Sequence, residues 1–498
     1  MNPLKKLAGQ TAIYGIPSIL GRFLNYLLVT LHTGVLDTAE YGVYNDLFTY
    51  IAYFIMIYSF GMETTFFRFA NKGNPEESYR NAGSFVFYLS TFISINLIVF
   101  SSGIAAVLGY AGKAHYIIWM AIILWIDALV AIPFARLRYE NKPIRFATYR
   151  LLNILLVIAL QIFLLGLCPK IYEGVLLPEL KPLVDLFFQP NYGVEYIIIA
   201  ILIANSLYVV FLFKSIAQIS FKINWQSFKP MFWYALPITI TGIAGTTNER
   251  LDIILLGDLL PEGFYPGKSS QDVQGIYGAS VKLSVLMILG IQAFRFAAEP
   301  FFFSKTKDKN APELFAKVFR YFVIAAVIIF VGVSINREFI AIQLLGKPEF
   351  REALMVVPWL LMGKLFFGVY TNFAVWFKIT DKTIFGTYFT LVGAAITIAV
   401  NFVLIGKVGY MAPAYASILA YFTMASICYR YGQKYFPIPY NLKVVFLYLV
   451  AGIITVVAID YLRLEDKAWE YGVKLAITFI IIGFIYLIER KKLLEETR

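Results

Sequence analysis

Two cysteines and two histidines in 498 residues leave little material for metal or thiol chemistry. Cys168 and Cys428 lie far apart and match no zinc, haem or redox spacing, and His32 and His115 belong to no ligand cluster. No metal and no cofactor is expected. A nucleotide-cradling glycine loop, a nucleophile with His and acid partners, and a metal-binding acidic motif are all missing, so the chain does not read as an enzyme. Charge is scarce too, at 15% of residues. The longest stretch between apolar runs outside the basic-rich side is residues 169–194, too short to hold a folded catalytic domain.

Apolar sequence is what the chain has in excess. Its residues are 59% hydrophobic and its mean hydropathy is +0.71, against about 45–50% apolar residues in soluble domains. Apolar runs recur from end to end, each long enough for a hydrocarbon core about 30 Å thick. The pattern predicts an all-α polytopic membrane protein with about fourteen spans, at residues 7–33, 41–62, 80–109, 114–135, 147–168, 195–214, 232–257, 275–303, 314–335, 351–376, 384–405, 411–429, 444–462 and 471–489. The first run carries Arg22 and Asn25 and continues beyond a short signal-peptide core, so it is expected to stay as a membrane helix.

The formal net charge of +12 is distributed by topology. Lys5 and Lys6, then Arg68, Lys72 and Arg80, then Arg136, Arg138, Lys142, Arg145 and Arg150 lie on alternate connections. Lys214, Lys222 and Lys229, the 305–320 cluster, Lys378 and Lys382, and the basic C-terminus continue the series. Most basic residues thus fall on one side, and the positive-inside rule places both termini in the cytoplasm. The charge is a membrane-topology signal and not a nucleic-acid footprint.

The pattern starts again halfway along. Tyr14-Gly-Ile-Pro17 leads to Gly42-Val-Tyr44 and Glu63-Thr-Thr-Phe-Phe67; Tyr234-Ala-Leu-Pro237 leads to Gly275-Ile-Tyr277 and Glu299-Pro-Phe-Phe-Phe303. The longer second spacing is taken up by the Gly/Pro/Ser-rich stretch 260–272. Two pseudo-symmetric six-helix lobes are therefore expected at residues 1–222 and 223–440, with two C-terminal helices and a cytoplasmic tail at 441–498. Internal repeats around a midplane site are a transporter arrangement.

Charges within the spans mark where that site lies. Gln10, Tyr14, Ser18, Arg22, Asn25 and His32 recur at three- and four-residue steps and so share one helix face. An arginine centred in that face costs roughly 3 kcal/mol or more if exposed to hydrocarbon. It is expected to line water, a partner or a ligand. Lys364 sits in the middle of its span, with Gly368 and Thr371 on the same face. In the eighth span Gln292, Arg295 and Glu299 share a face, with Glu299 spaced to pair with Arg295, while Lys282 points elsewhere. In the seventh, Thr241, Gly245, Asn248 and Asp252 form one stripe and Arg250 lies almost opposite. Pro237, Gly242 and Gly245 are expected to bend or unwind that helix. Arg22, Asn25, Lys364, Arg250, Arg295 and Lys282 are the candidate cationic lining for an anionic, phosphate-bearing substrate. Glu249, Asp252 and Asp127 are candidates for ion coupling.

Four stretches carry a resemblance: Glu63-Thr-Thr-Phe-Phe-Arg-Phe69, Pro133-Phe-Ala-Arg-Leu-Arg138, Asn248-Glu-Arg-Leu-Asp252 and Gln292-Ala-Phe-Arg-Phe-Ala-Ala-Glu-Pro-Phe-Phe-Phe303. Over nearly its whole length the chain resembles the polysaccharide-exporter (Wzx-like flippase) branch of the multidrug/oligosaccharidyl-lipid/polysaccharide (MOP) superfamily, distantly similar to lipid II flippases and multidrug extrusion transporters. The resemblance implies alternating access and movement of an undecaprenyl-diphosphate-linked glycan from the cytoplasmic to the periplasmic leaflet of the bacterial inner membrane. It also implies lipid-tail contacts from the last two helices and functional coupling to polysaccharide assembly enzymes. Basic residues in the first helix of lipid II flippases support Arg22 by role. A cation-coupled multidrug exporter of the same fold is the alternative, in which Glu249 or Asp127 dominates. A membrane glycosyltransferase or polymerase is the other, and it lacks the external loop such enzymes need.

Overall fold

Helices follow the apolar runs throughout the computed structural model, which describes residues 20–21, 23–24, 26–306, 308–462 and 464–496, with side chains through Glu489. Arg22 and Asn25, and the Tyr14 to Pro17 motif of the first repeat, lie outside the described residues. Among the described residues there is no strand. Among the described residues, eleven helices are long and apolar enough to cross a membrane.

The chain divides into two compact units, Met1–Ile254 with Ser269–Gly275, and Leu255–Lys268 with Ile276–Arg498. The division between the two units falls within α11, between Ile254 and Leu255, near the end of the seventh expected span. In the first unit the order is α1 (Tyr26–Val35), α2 (Thr38–Ser59), α3 (Met62–Ala70), α4 (Pro75–Val99), α5 (Ser101–Val107), α6 (Ala114–Tyr139), α7 (Pro143–Gln161), α8 (Cys168–Tyr172), α9 (Lys181–Val184), α10 (Val194–Ile216) and α11 (Trp225–Leu259). A π-helical turn, Ile162–Leu167, joins α7 to α8. The start of α12 (Ser270–Lys305) completes the unit.

α6 is apolar around most of its surface, Asp127 apart, until its last turns, with Ile117, Leu124, Val130 and Phe134 buried, and such a helix belongs at the centre of its unit. It packs against α2, α3, α4, α5, α7 and α10. α2 starts at a capping box in which Asp37 and Glu40 each accept from the other's backbone N–H. It ends where Phe60 and Gly61 take left-handed backbone angles, φ 45° and 61°, turning the chain into α3.

α2 and α11 are helical where spans are expected, yet are not among the eleven. Glu40, Asn45 and Asp46 on α2, and Asn248, Glu249, Arg250 and Asp252 on α11, make these helices too polar. α11 is not unwound at these positions: it is one continuous helix through Pro237, Gly242 and Gly245. Thr239, Thr241, Thr246 and Thr247 each donate to the carbonyl four residues back, so hydroxyls supplement the backbone bonding along this stretch.

The second unit contains the remainder of α12, then α13 (Ala311–Ile335), α14 (Arg337–Leu344), α15 (Val357–Phe373), α16 (Val375–Ile379), α17 (Ile384–Val408), α18 (Met411–Tyr435), α19 (Leu442–Asp460) and α20 (Lys467–Glu496). α18 packs on both α15 and α17. Its small side chains, Ala412, Ala416, Ser417 and Ala420, are buried there, and small residues let helix backbones approach closely. α19 and α20 lie on α13. Near one end Arg320 donates to both carboxylate oxygens of Glu489, at 2.7 and 2.5 Å, and Tyr448 adds a hydroxyl bond of 2.6 Å. Asn336 bonds Thr478 at 2.9 Å near the other. The two cysteines, one in each unit, are free and buried.

Candidate functional site

Polar groups inside the first unit form three linked sets. Asp46, next to Asn45 on α2, is buried and accepts the Tyr110 hydroxyl at 2.5 Å; Gln274 Nε2 lies 3.5 Å from its other oxygen and donates to the Ile253 carbonyl at 2.9 Å. His32, the described end of the polar stripe of the first span, is buried with its Nε2 2.8 Å from Gln161 Oε1. That end of the stripe thus meets protein. On α6, Asp127 accepts from the Asn205 amide at 2.9 Å, and Asn205 in turn accepts from Asn153 at 2.9 Å. A half-buried carboxylate fixed by a carboxamide chain can hold either a proton or a small cation.

Gly42 and Gly275 mark the close crossing of α2 and the start of α12. A Cβ on Gly42 would stand 1.9 Å from the Gln271 carbonyl oxygen, and one on Gly275 would stand 1.9 Å from that of Thr38. Thr38 bonds Asp272 beside them. The two glycines come from corresponding positions of the sequence repeat, and each admits the other's helix.

On α11, Asn248 is buried, Asp252 is half-buried and both Glu249 and Arg250 are exposed. No ion pair to Arg250 is formed within 4 Å among the described residues. Tyr53 on α2 donates to Thr247 at 3.1 Å, so α2 and the polar part of α11 are directly bonded.

The cations of the second unit fall into different surroundings. Glu299 Oε1 receives Arg295 at 3.2 Å and Lys378 at 2.7 Å, so the expected Arg295–Glu299 pair has a third member that adjacent-turn spacing on α12 does not reveal. Lys364 on α15 is half-buried, with its ammonium 5.8 Å from the centre of the Tyr421 ring and no carboxylate within ion-pair distance among the described residues. Lys282 is half-buried on α12. Arg250 belongs to the first unit, and Lys282, Arg295 and Lys364 to the second. Asp46, Gln161 and Lys378 were not among the residues singled out from sequence. Asp46 was detectable as a carboxylate inside an apolar run; Gln161 and Lys378 gain their roles from partners 129 and 79 positions away.

No protein-family model and no curated protein matches this sequence. In fold, the chain is similar to the lipid II flippase MurJ in its inward closed conformation, with a TM-score of 0.72 over 96% of this chain and 99% of that one at 14% identity. It is also similar to a multidrug resistance MATE family transporter of the MOP superfamily in its inward-facing conformation, with a TM-score of 0.59, 83% and 94% coverage and 12% identity. A MOP superfamily transporter from Pyrococcus furiosus, described as having a binding pocket of reverse polarity, gives 0.58 over 87% and 98% at 12% identity. The fold is helical and like that of MurJ and the MATE transporters.

Proposed function

We propose that this protein is a non-enzymatic flippase that moves an undecaprenyl-diphosphate-linked oligosaccharide or polysaccharide repeat across the bacterial inner membrane by alternating access. The observation that carries this reading is the likeness to a lipid II flippase across nearly the full length of both chains. In this reading the termini are cytoplasmic, membrane lipids surround the helices, and polysaccharide assembly enzymes supply and consume the cargo.

The diphosphate is received by cations inside the membrane. Arg22 and Asn25 contribute from the first span, with Lys364, Arg250 and Lys282 as further donors. Like Arg250, Lys364 has no carboxylate within ion-pair distance among the described residues, and its place beside the Tyr421 ring leaves its ammonium available to an incoming anion. Arg295 already shares Glu299 with Lys378, so it contributes to the anion only by exchanging that partner. Asp127, Glu249 and Asp252 are the groups available for ion coupling. A negative-inside potential adds about 2.3 kcal/mol per charge per 100 mV to outward movement of an anion.

Deleting the gene and analysing membrane lipids tests the function. Accumulation of an undecaprenyl-linked glycan on the inner leaflet is expected. Unchanged glycolipid together with new drug sensitivity would instead establish the cation-coupled exporter.

A further inference from the structure

At one end of the second unit the chain builds a pocket that the membrane-embedded cations do not use. It encloses about 400 Å3 between α14, the 348–356 segment and the first turns of α20. This size falls within the about 300–1,000 Å3 range of small-ligand sites. The distribution of basic residues puts these connections on the side opposite the termini.

Most of the charges around the pocket are already matched. Arg337 bonds Asp460 at 2.6 Å and the Ser334 carbonyl at 2.9 Å, Glu352 is paired with Lys268 at 2.8 Å, and Glu338 lies 3.5 Å from Lys467. Arg351 differs. It gives one Nη2 bond of 2.9 Å to the Leu345 carbonyl and forms no ion pair among the described residues; its Nε is buried without a partner among them, so the remaining Nη hydrogens are the ones open to a ligand. The pocket therefore offers fixed donors and acceptors plus one uncommitted guanidinium. Ile342 and Met355, 41% and 54% exposed, and the Tyr471 ring supply apolar surface within the same lining.

We propose that this pocket is an outward-facing saccharide site that takes an acidic sugar. Hydroxyls of the ring meet the paired charges, its C–H face lies on Tyr471 and Met355, and its carboxylate lies against Arg351. Bidentate carboxylate recognition is the geometry guanidinium serves best. A compact inorganic anion finds no such match, because only one of the surrounding cations lacks a counter-charge. The site rests on the flippase reading only for the biological source of the sugar.

The test is calorimetric titration of the purified full-length protein with trigalacturonate, maltotriose and inorganic pyrophosphate. Trigalacturonate binds, R351Q weakens it at least tenfold, and M355W abolishes it by filling the pocket without touching an ion pair. Because Met355 is exposed, M355W keeps the test decisive if R351Q fails to fold. Equal binding of maltotriose, competition by pyrophosphate, or trigalacturonate affinity unchanged in M355W overturns the assignment. These outcomes are independent of the gene-deletion result: absence of accumulated glycolipid removes the flippase reading while leaving the binding measurement to stand or fall on its own.

Discussion

Arg295 and Lys364 are both cations on helices of the second unit, yet their neighbours give them different work. Arg295 and Lys378 share one carboxylate, whereas Lys364 has an aromatic ring and no counter-charge within ion-pair distance among the described residues. K364M should lower surface-glycan export at least tenfold, equivalent to about 1.4 kcal/mol of lost stabilisation, with membrane abundance unchanged; normal export would remove Lys364 from the site. Arg22→Ala should abolish export at normal abundance, and Arg22→Lys separates charge from guanidinium geometry. Outside the spans, burial alone would raise the Glu140 carboxyl. Its hydrogen bonds from Lys142 and Arg136, at 2.5 and 2.6 Å, outweigh burial and hold it below the ordinary glutamate value of 4.5. A folded-state value below the unfolded one makes this contribution present above the ordinary glutamate range and lost as pH falls through it. Melting of the E140Q variant between pH 7 and pH 3 should accordingly show a smaller acid-induced drop than the parent. At this scale the i, i+4 pairing of Arg295 with Glu299 was legible in sequence. Lys378 was not, because only the fold brings α16 to α12.

At the scale of elements, the crossing of α2 and α12 is the tightest contact described. Gly42→Val should destabilise the protein by about 1–3 kcal/mol or more, since the side chain would have to displace a backbone carbonyl rather than a flexible tip. Gly103→Ala on α5, where nothing lies within 4 Å of the new methyl, should be neutral or stabilising by up to about 1 kcal/mol. Thermal unfolding in detergent compares the two. The sequence repeat singled out both Gly42 and Gly275 but had no means of showing that they face each other. Apolar periodicity located the helices well, because hydrocarbon demands a continuous hydrogen-bonded backbone wherever the run is long. In α11 the prolines and glycines lie within a helix that stays continuous, and threonine hydroxyls bonded to carbonyls accompany it there.

For the whole molecule, topology is the property most open to direct measurement. Cys168 and Cys428 are buried, so added surface thiols can be read against a quiet background. Leu186→Cys, between α9 and α10, should react with an impermeant maleimide from outside intact cells. Ser220→Cys, between α10 and α11, should react only after permeabilisation; the reverse pattern would invert the orientation. The alternation of basic connections is the sequence signal from which this orientation is expected, whereas α11 carries no signal of which helices it packs with. The pairing of Arg320 with Glu489 has a further consequence during synthesis. The ribosome delivers the carboxylate 169 residues after the guanidinium. Throughout that interval α13 carries an unmatched cation, and a prematurely terminated product that stops before Glu489 keeps it. The completed chain differs from such a fragment by more than length: it has neutralised a charge that the fragment must leave exposed to whatever surveys unfinished membrane proteins.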